Sequence, residues 1–223
     1  LGLGSLVLNS GSIVNAGLGA PSTGGTALFS VGGNLTLDGT LNVSNIGGFG
    51  NGVYRIFNYN GGLTDNGLDF GSLPAGVALG DVSLQTALAN QVNLLVSSAG
   101  LGLQFWNGSQ TVPTGQIEGG AGVWNASNSN WSDANGMLSA TWGNNFAVFQ
   151  GTGGDVTVEG SHTVNGMQFV SNGYRLLAGT GGELNLVNDT GGNTNLRVDP
   201  GATAILDVGL TGSGKLNKLD TGT

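Results

Sequence analysis

Residues 31–43 read VGGNLTLDGTLNV, and residues 152–164 read TGGDVTVEGSHTV. Laid over one another they share both glycines, an Asn or Asp, two apolar positions around a common Thr, an acid, a Gly and a closing Val. Leu35 and Leu37 alternate with Thr36, as Val156 and Val158 alternate with Thr157, so each phrase opens on a strand with one apolar face. The pairs Asp38-Gly39 and Glu159-Gly160 supply turn chemistry. If Asp38-Gly39 closed a two-residue hairpin, Leu37 would lie opposite Thr40 and Thr36 opposite Leu41. Leu35 and Leu37 would then face away from Leu41 and Val43. A bend between sheets or a three-residue bulged loop keeps all four inward, and either fits better than the tight hairpin.

The likeness extends beyond these phrases. Phe49 falls over Phe169, Tyr54-Arg55-Ile56 over Tyr174-Arg175-Leu176, and Gly61-Gly62 over Gly181-Gly182. A shorter phrase, Gly-Gly-x-Φ-x-Φ with Φ apolar, starts at Gly32, Gly153 and Gly181. That rhythm predicts an all-β chain built as a parallel β-helix, a solenoid in a single elongated unit with roughly 20 to 25 residues per coil. Strands are expected at 34–37, 40–43, 54–58, 91–96, 155–158, 163–170, 174–177, 183–187, 195–198 and 204–208, and a lone helix at 82–89 between Asp81 and Asn90. Repeat copies occupy about 27–68 and 147–187, with a tryptophan-rich segment between them at 101–146.

Composition narrows the function classes. Of 223 residues 45 are Gly and only 4 are Pro, which does not fit collagen, and 8% are charged, which does not fit charge-rich disorder. Thirteen carboxylates against 5 Lys and Arg leave a net charge of −8, without the cationic surface that phosphate contacts need, so no nucleic-acid partner is expected. The absence of cysteine removes disulfides, zinc–thiolate sites and thiol nucleophiles together. Scarce charge also suits stacked coils, where like charges repeated every ~4.8 Å would repel and Asn, Thr and Ser ladders would not. No window approaches the ~18 apolar residues of a membrane helix, and the opening LGLGSLVLNSGS lacks a cationic n-region, so the chain is expected to be a mature fragment.

Three stretches carry a family likeness: ALFSVGGNLTLDGTLNVSNIGGFGNGVYRIFNYNGGLTDNGL at 27–68, VWNASNSNWSDANGMLSATWGNNFAVF at 123–149, and GLTGSGKLNKLDTGT at 209–223. Together they resemble an autotransporter passenger domain of the type V secretion systems of Gram-negative bacteria. The last stretch is similar to the start of a passenger-associated transport repeat, Gly-x-Gly-x-Leu-x-Lys-x-Gly-x-Gly-Thr. Gly212, Gly214, Leu216, Lys218, Gly222 and Thr223 match in register, while Asp220 stands where Gly is usual. The resemblance implies a right-handed β-helix, displayed at the bacterial cell surface or released from it. It further implies a covalently linked C-terminal membrane β-barrel, absent from this chain, as the outer-membrane anchor. The segment 209–223, with only Leu210, Leu216 and Leu219 to bury, is expected to be a weakly held edge.

Candidate chemistry is sparse. His162 is the single histidine, next to Ser161, but neighbours on one strand face opposite ways, and the repeat places His162 over Leu41. A structural His162 is therefore expected. A polysaccharide lyase or glycosidase needs two or three acids converging with a cation on one face. Here the acids are dispersed, mostly in turn contexts such as Asp38-Gly39 and Asp199-Pro200-Gly201. Gly153-Gly154-Asp155 and Asn188-Asp189 are reminiscent of calcium loops, yet no tandem array follows, and turn geometry accounts for them. Trp106, Trp124, Trp131 and Trp142 all fall in 101–146. Packing is their plainer reading; exposed, they would be candidate ligand or glycan contacts.

No catalytic, cofactor-binding or metal-binding residue is assigned. The expected function is non-enzymatic: a passenger stem supporting adhesion or cell–cell association, its partners a host-surface or matrix protein, a glycan, or another copy. The alternative is an extracellular polysaccharide-acting enzyme.

Overall fold

In the computed structural model, residues 2–19, 27–97, 101–188 and 192–223 are described, and the chain divides into compact units at 1–99 and 100–223. The described residues hold no α-helix, only strands and one 3-10 turn at Leu79–Asp81. Helix would need apolar residues three and four apart, whereas apolar residues here alternate between Gly and Asn breaks.

In the second unit the chain cycles through three parallel sheets. It runs through Phe146–Phe149, then Asp155–Val158, then Ser161–Val164. It returns to the first sheet at Gly166–Phe169, to the second at Tyr174–Ala178 and to the third at Glu183–Leu186. A further round brings Asn193–Val198, Ala204–Asp207 and Gly209–Gly212, before Lys215–Leu219 re-enters the first sheet. Registers such as Asp155 opposite Arg175 and His162 opposite Leu184 lock each round onto the next.

The first unit follows the same plan. Gly2–Leu3, Phe29–Val31 and Gly52–Tyr59 form one parallel ladder, Leu6–Val7, Leu35–Leu37 and Leu63–Asp65 a second, and Ile13–Gly19, Thr40–Gly47 and Asp69–Phe70 a third. Rounds here are longer than expected, as Thr40 opposite Asp69 illustrates, because the strands Thr40–Gly47 and Gly52–Tyr59 run to eight residues each.

The interior is aliphatic and aromatic. Leu35, Leu37, Leu41 and Ile56 in the first unit, and Val156, Val158, Val164, Met167 and Phe169 in the second, have no exposed surface. Each such side chain contributes about 1.5–3 kcal/mol by leaving water. The repeat phrases behave alike: Leu35, Leu37, Leu41 and Val43 point inward, as do Val156, Val158, His162 and Val164. The bend between sheets, not the bulged hairpin, joins them, because Leu35–Leu37 and Thr40–Gly47 lie in different sheets. Both corners turn on a glycine in the left-handed region, Gly39 at φ 85° and Gly160 at φ 77°. A side chain on Gly39 would also collide with the carbonyls of Asn9 and Ser12. Outward positions carry uncharged ladders, including Asn42 Nδ2 donating to Asn15 Oδ1 at 3.0 Å and Asn217 Nδ2 to Asn195 Oδ1 at 3.0 Å.

Three further expectations need correction. The helix expected at 82–89 is absent: Val82–Gln85 is a strand, paired antiparallel with Gln91–Val96. Tertiary pairing overrides the local signal, since Val82 and Gln85 are buried there and Gln85 Oε1 accepts from Asn93 Nδ2 at 2.9 Å. The pairing is not wholly parallel, because Gln91–Val96 also runs antiparallel to Gly52–Tyr59 and covers what would be an open edge. The strand expected at 163–170 is two, Ser161–Val164 and Gly166–Phe169, which belong to different sheets.

Candidate functional site

The tryptophan-rich segment begins with Leu103–Trp106, which lies parallel to Phe146–Phe149, and Trp131–Ser132 pairs antiparallel to it. Gly122–Trp124 runs parallel to Asp155–Val158. These pairings bring Trp106, Trp124 and Trp131 together, and Trp142, outside the strands, packs on Trp124 and Trp131. Trp131 lies 5.3 Å from Trp106, 4.8 Å from Trp124 and 4.5 Å from Trp142 between ring centroids, the first two edge to face. Phe149 stands 5.8 Å from Trp131 and stacks on Phe169 at 4.7 Å. Such contacts add about 0.5–1.5 kcal/mol per pair to the area buried.

Trp106, Trp124 and Trp131 have no exposed surface, and Trp142 is half-buried. Trp106 Nε1 donates to the Gly120 carbonyl at 2.8 Å, and Trp142 Nε1 to the Thr163 carbonyl at 2.9 Å. The indole N–H groups of Trp124 and Trp131 are buried and meet no hydrogen-bond acceptor among the described residues. Orphaned donors of this kind cost about 1–3 kcal/mol, which a packed ring of this size offsets through its area. Three of the indoles thus belong to the second unit's apolar interior, and Trp142 packs against it. Only Trp142 retains surface on which a sugar ring could stack.

His162 belongs to the same cluster. Its ring stacks on Trp124 at 5.1 Å with planes 17° apart, and Nε2 donates to the Glu159 carbonyl at 2.9 Å. Ser161 is exposed while His162 is buried, so the two face opposite ways, as alternation requires. Sequence reasoning kept His162 and Phe149 apart from the tryptophans; the signal that joins them is the repeat alignment, which puts His162 at an inward position.

Among the described residues the acids do not converge. Asp207 pairs with Arg175 Nη2 at 2.8 Å on the surface, and Asp220 pairs with Arg197 Nη1 at 3.2 Å in the interior, their side chains 0% and 2% exposed. Burial raises the Asp220 carboxyl above its ordinary value, opposed by the Arg197 charge and hydrogen bond and then by Lys218. Burial likewise pushes up the Tyr174 phenol, which donates to the Gln150 carbonyl at 2.7 Å. Among the described residues no group of three or more His, Asp or Glu stands close enough to share a metal ion. Asp155 lies on an outward strand position, and Asp189 falls outside the described residues. A shallow depression in the first unit is lined by Leu3, Ser30, Val31, Gly32, Asn58 and Asn60, none of which ionises.

No family model matches the chain, and no solved structure does. Adhesin BmaC autotransporter of Brucella suis biovar 1 (strain 1330) is 42% identical over 248 aligned residues, which cover 99% of this chain and 7% of that protein. The chain therefore spans a small part of its relative's length. That identity, running across almost the whole of the chain, supports its reading as autotransporter passenger sequence.

Proposed function

We propose that this chain is a stretch of a surface-displayed passenger stem, a right-handed parallel β-helix that supports adhesion or cell–cell association without catalysis. The observation that carries the reading is the 42% identity to a protein named as an adhesin, running over 99% of the chain. The geometry is consistent with it. Dispersed carboxylates, a histidine packed against Trp124 and outward Asn ladders suit a rigid carrier of many weak contacts better than a reaction centre. The whole protein is secreted by the type V route and held at the cell surface by a C-terminal β-barrel. Its partners are a host-surface or matrix protein, a glycan, or a second copy.

Beads coated with the chain test this directly, scored for attachment to host cells, matrix proteins and immobilised glycans and for bead–bead clustering. In parallel, soluble polysaccharides are incubated with the chain and their length followed. Attachment or clustering with no change in polymer length is the expected result. Depolymerisation by the chain would replace this reading with the polysaccharide-acting alternative.

A further inference from the structure

Asn-Gly pairs are the peptide contexts most prone to lose ammonia, because glycine puts no side chain in the way of its own nitrogen. The sequence holds seven of them, and the fold treats them unequally. Asn107 is buried, its side chain clamped between the Glu118 amide at 2.7 Å and the Gln116 carbonyl. Asn172 Oδ1 accepts from Thr203 N–H at 2.8 Å, while Gly173 N–H is held by the Thr203 carbonyl at 3.0 Å. Asn165 Nδ2 donates to the Asn144 carbonyl. The amides of Gly61 and Gly136 donate to the backbone carbonyls of Gly33 and Asp133, and both glycines press against neighbouring backbone.

Asn66-Gly67 combines exposure, open space at its glycine and a glycine N–H held by no backbone carbonyl. Asp65, Asn66 and Gly67 are all exposed, and Gly67, at φ 93°, has open space where a side chain would stand. The Asn66 carboxamide makes no hydrogen bond among the described residues. The Gly67 N–H donates to no carbonyl but to Asp65 Oδ1, at 3.1 Å. That hydrogen lies in the peptide plane, so the faces of the nitrogen from which it attacks stay open, with a carboxylate already placed to take the proton. Asn66 N–H is fixed to the Leu37 carbonyl at 3.0 Å, and the next residue, Leu68, is buried, which anchors both sides of the turn.

We propose that Asn66 is a site of spontaneous modification in the folded chain. Gly67 N attacks Asn66 Cγ and forms a C–N bond, its proton passing by way of the Asp65 carboxylate to the departing amide nitrogen, which leaves as ammonia. The resulting succinimide is opened by water at one or other carbonyl, giving Asp or isoaspartate at position 66. No oxidant or reductant is involved. The product places a new negative charge between Asp65 and Asp69, and in the isoaspartyl form lengthens the backbone by one carbon beside the inward Leu68.

The test incubates the purified chain in mildly alkaline buffer, digests it, and follows each Asn-Gly peptide by mass spectrometry, with isoaspartate scored by enzymatic methyl transfer. Asn66 is expected to convert first in the folded chain and to lose that lead in denaturant. Asp65→Asn, which keeps an oxygen facing the amide but no charge, is expected to slow Asn66 several-fold while leaving the other pairs unchanged. Asn66→Gln is expected to abolish the modified peptide. Equal rates at Asn60, Asn66 and Asn135 in the folded chain, or an unchanged rate at Asn66 in Asp65→Asn, would overturn the proposal.

Discussion

Asp220 shows how one departure from a pattern is accommodated. It occupies a position where the transport-repeat pattern has Gly, and its φ of 69° is a conformation that side chains avoid. Arg197 offsets that strain by pairing with it in the interior, and Thr223 adds backbone hydrogen bonds to Ala202 and Ala204. The segment 209–223, expected as a loose edge, is exposed along Gly209–Gly212 but tethered at 220–223. Asp220→Ala removes the carboxyl that accepts hydrogen bonds from the buried Arg197 guanidinium and is expected to cost about 3–5 kcal/mol in denaturant unfolding. The pH dependence has a definite sign. Because burial raises the Asp220 pKa, the folded chain holds this proton more tightly than the unfolded one. The group therefore favours folding most below the ordinary carboxylate range, and that contribution declines as pH rises through the raised value. Acid is not expected to release this end through Asp220. A loss of protection at 209–223 on going from about pH 5 to about pH 4, absent in Asp220→Asn, would reverse the sign.

Along a strand, function and stability separate by face. Leu37 has no exposed surface and Thr36, beside it, is half-exposed in a ladder with Val7 and Thr64. Leu37→Asp is expected to unfold the first unit, since a buried unpaired charge costs more than such a unit can lose, whereas Thr36→Asp is expected to stay within about 1 kcal/mol. Equal effects in thermal unfolding would refute the assigned faces. Trp124→Ala removes the indole that touches Trp131, Trp142 and His162 and is expected to cost about 3–5 kcal/mol. This is also where the limits of sequence reading lie. The period of two placed strands at 91–96 and 155–158 to the residue, and the repeat put His162 inward, because both signals are local or copied. The antiparallel strand at Val82–Gln85 was not legible, because its partner Gln91–Val96 decides it and eight residues with an acidic start also satisfy a helix. The tryptophans could be read as clustered in sequence, with packing the plainer reading, but not as one aromatic cluster, since that depends on Phe149, Phe169 and His162 arriving from later rounds of chain.

At the largest scale, parallel rounds of chain stack in register within each unit. The chain's lack of cysteine makes that claim directly measurable. Asn15 and Asn42 are register partners in the first unit, Thr163 and Asn185 in the second, and both pairs touch through outward side chains at 3.0 and 3.3 Å. Cysteines at such positions lie within reach of a disulfide, whereas Thr163 and Glu183, two places out of register, lie about 7 Å apart. Mild oxidation is expected to close Asn15→Cys with Asn42→Cys and Thr163→Cys with Asn185→Cys rapidly, and to leave Thr163→Cys with Glu183→Cys open. Failure of the in-register pairs to close, or closure of the displaced pair at an equal rate, would contradict the stacked parallel architecture and the stem function proposed on it.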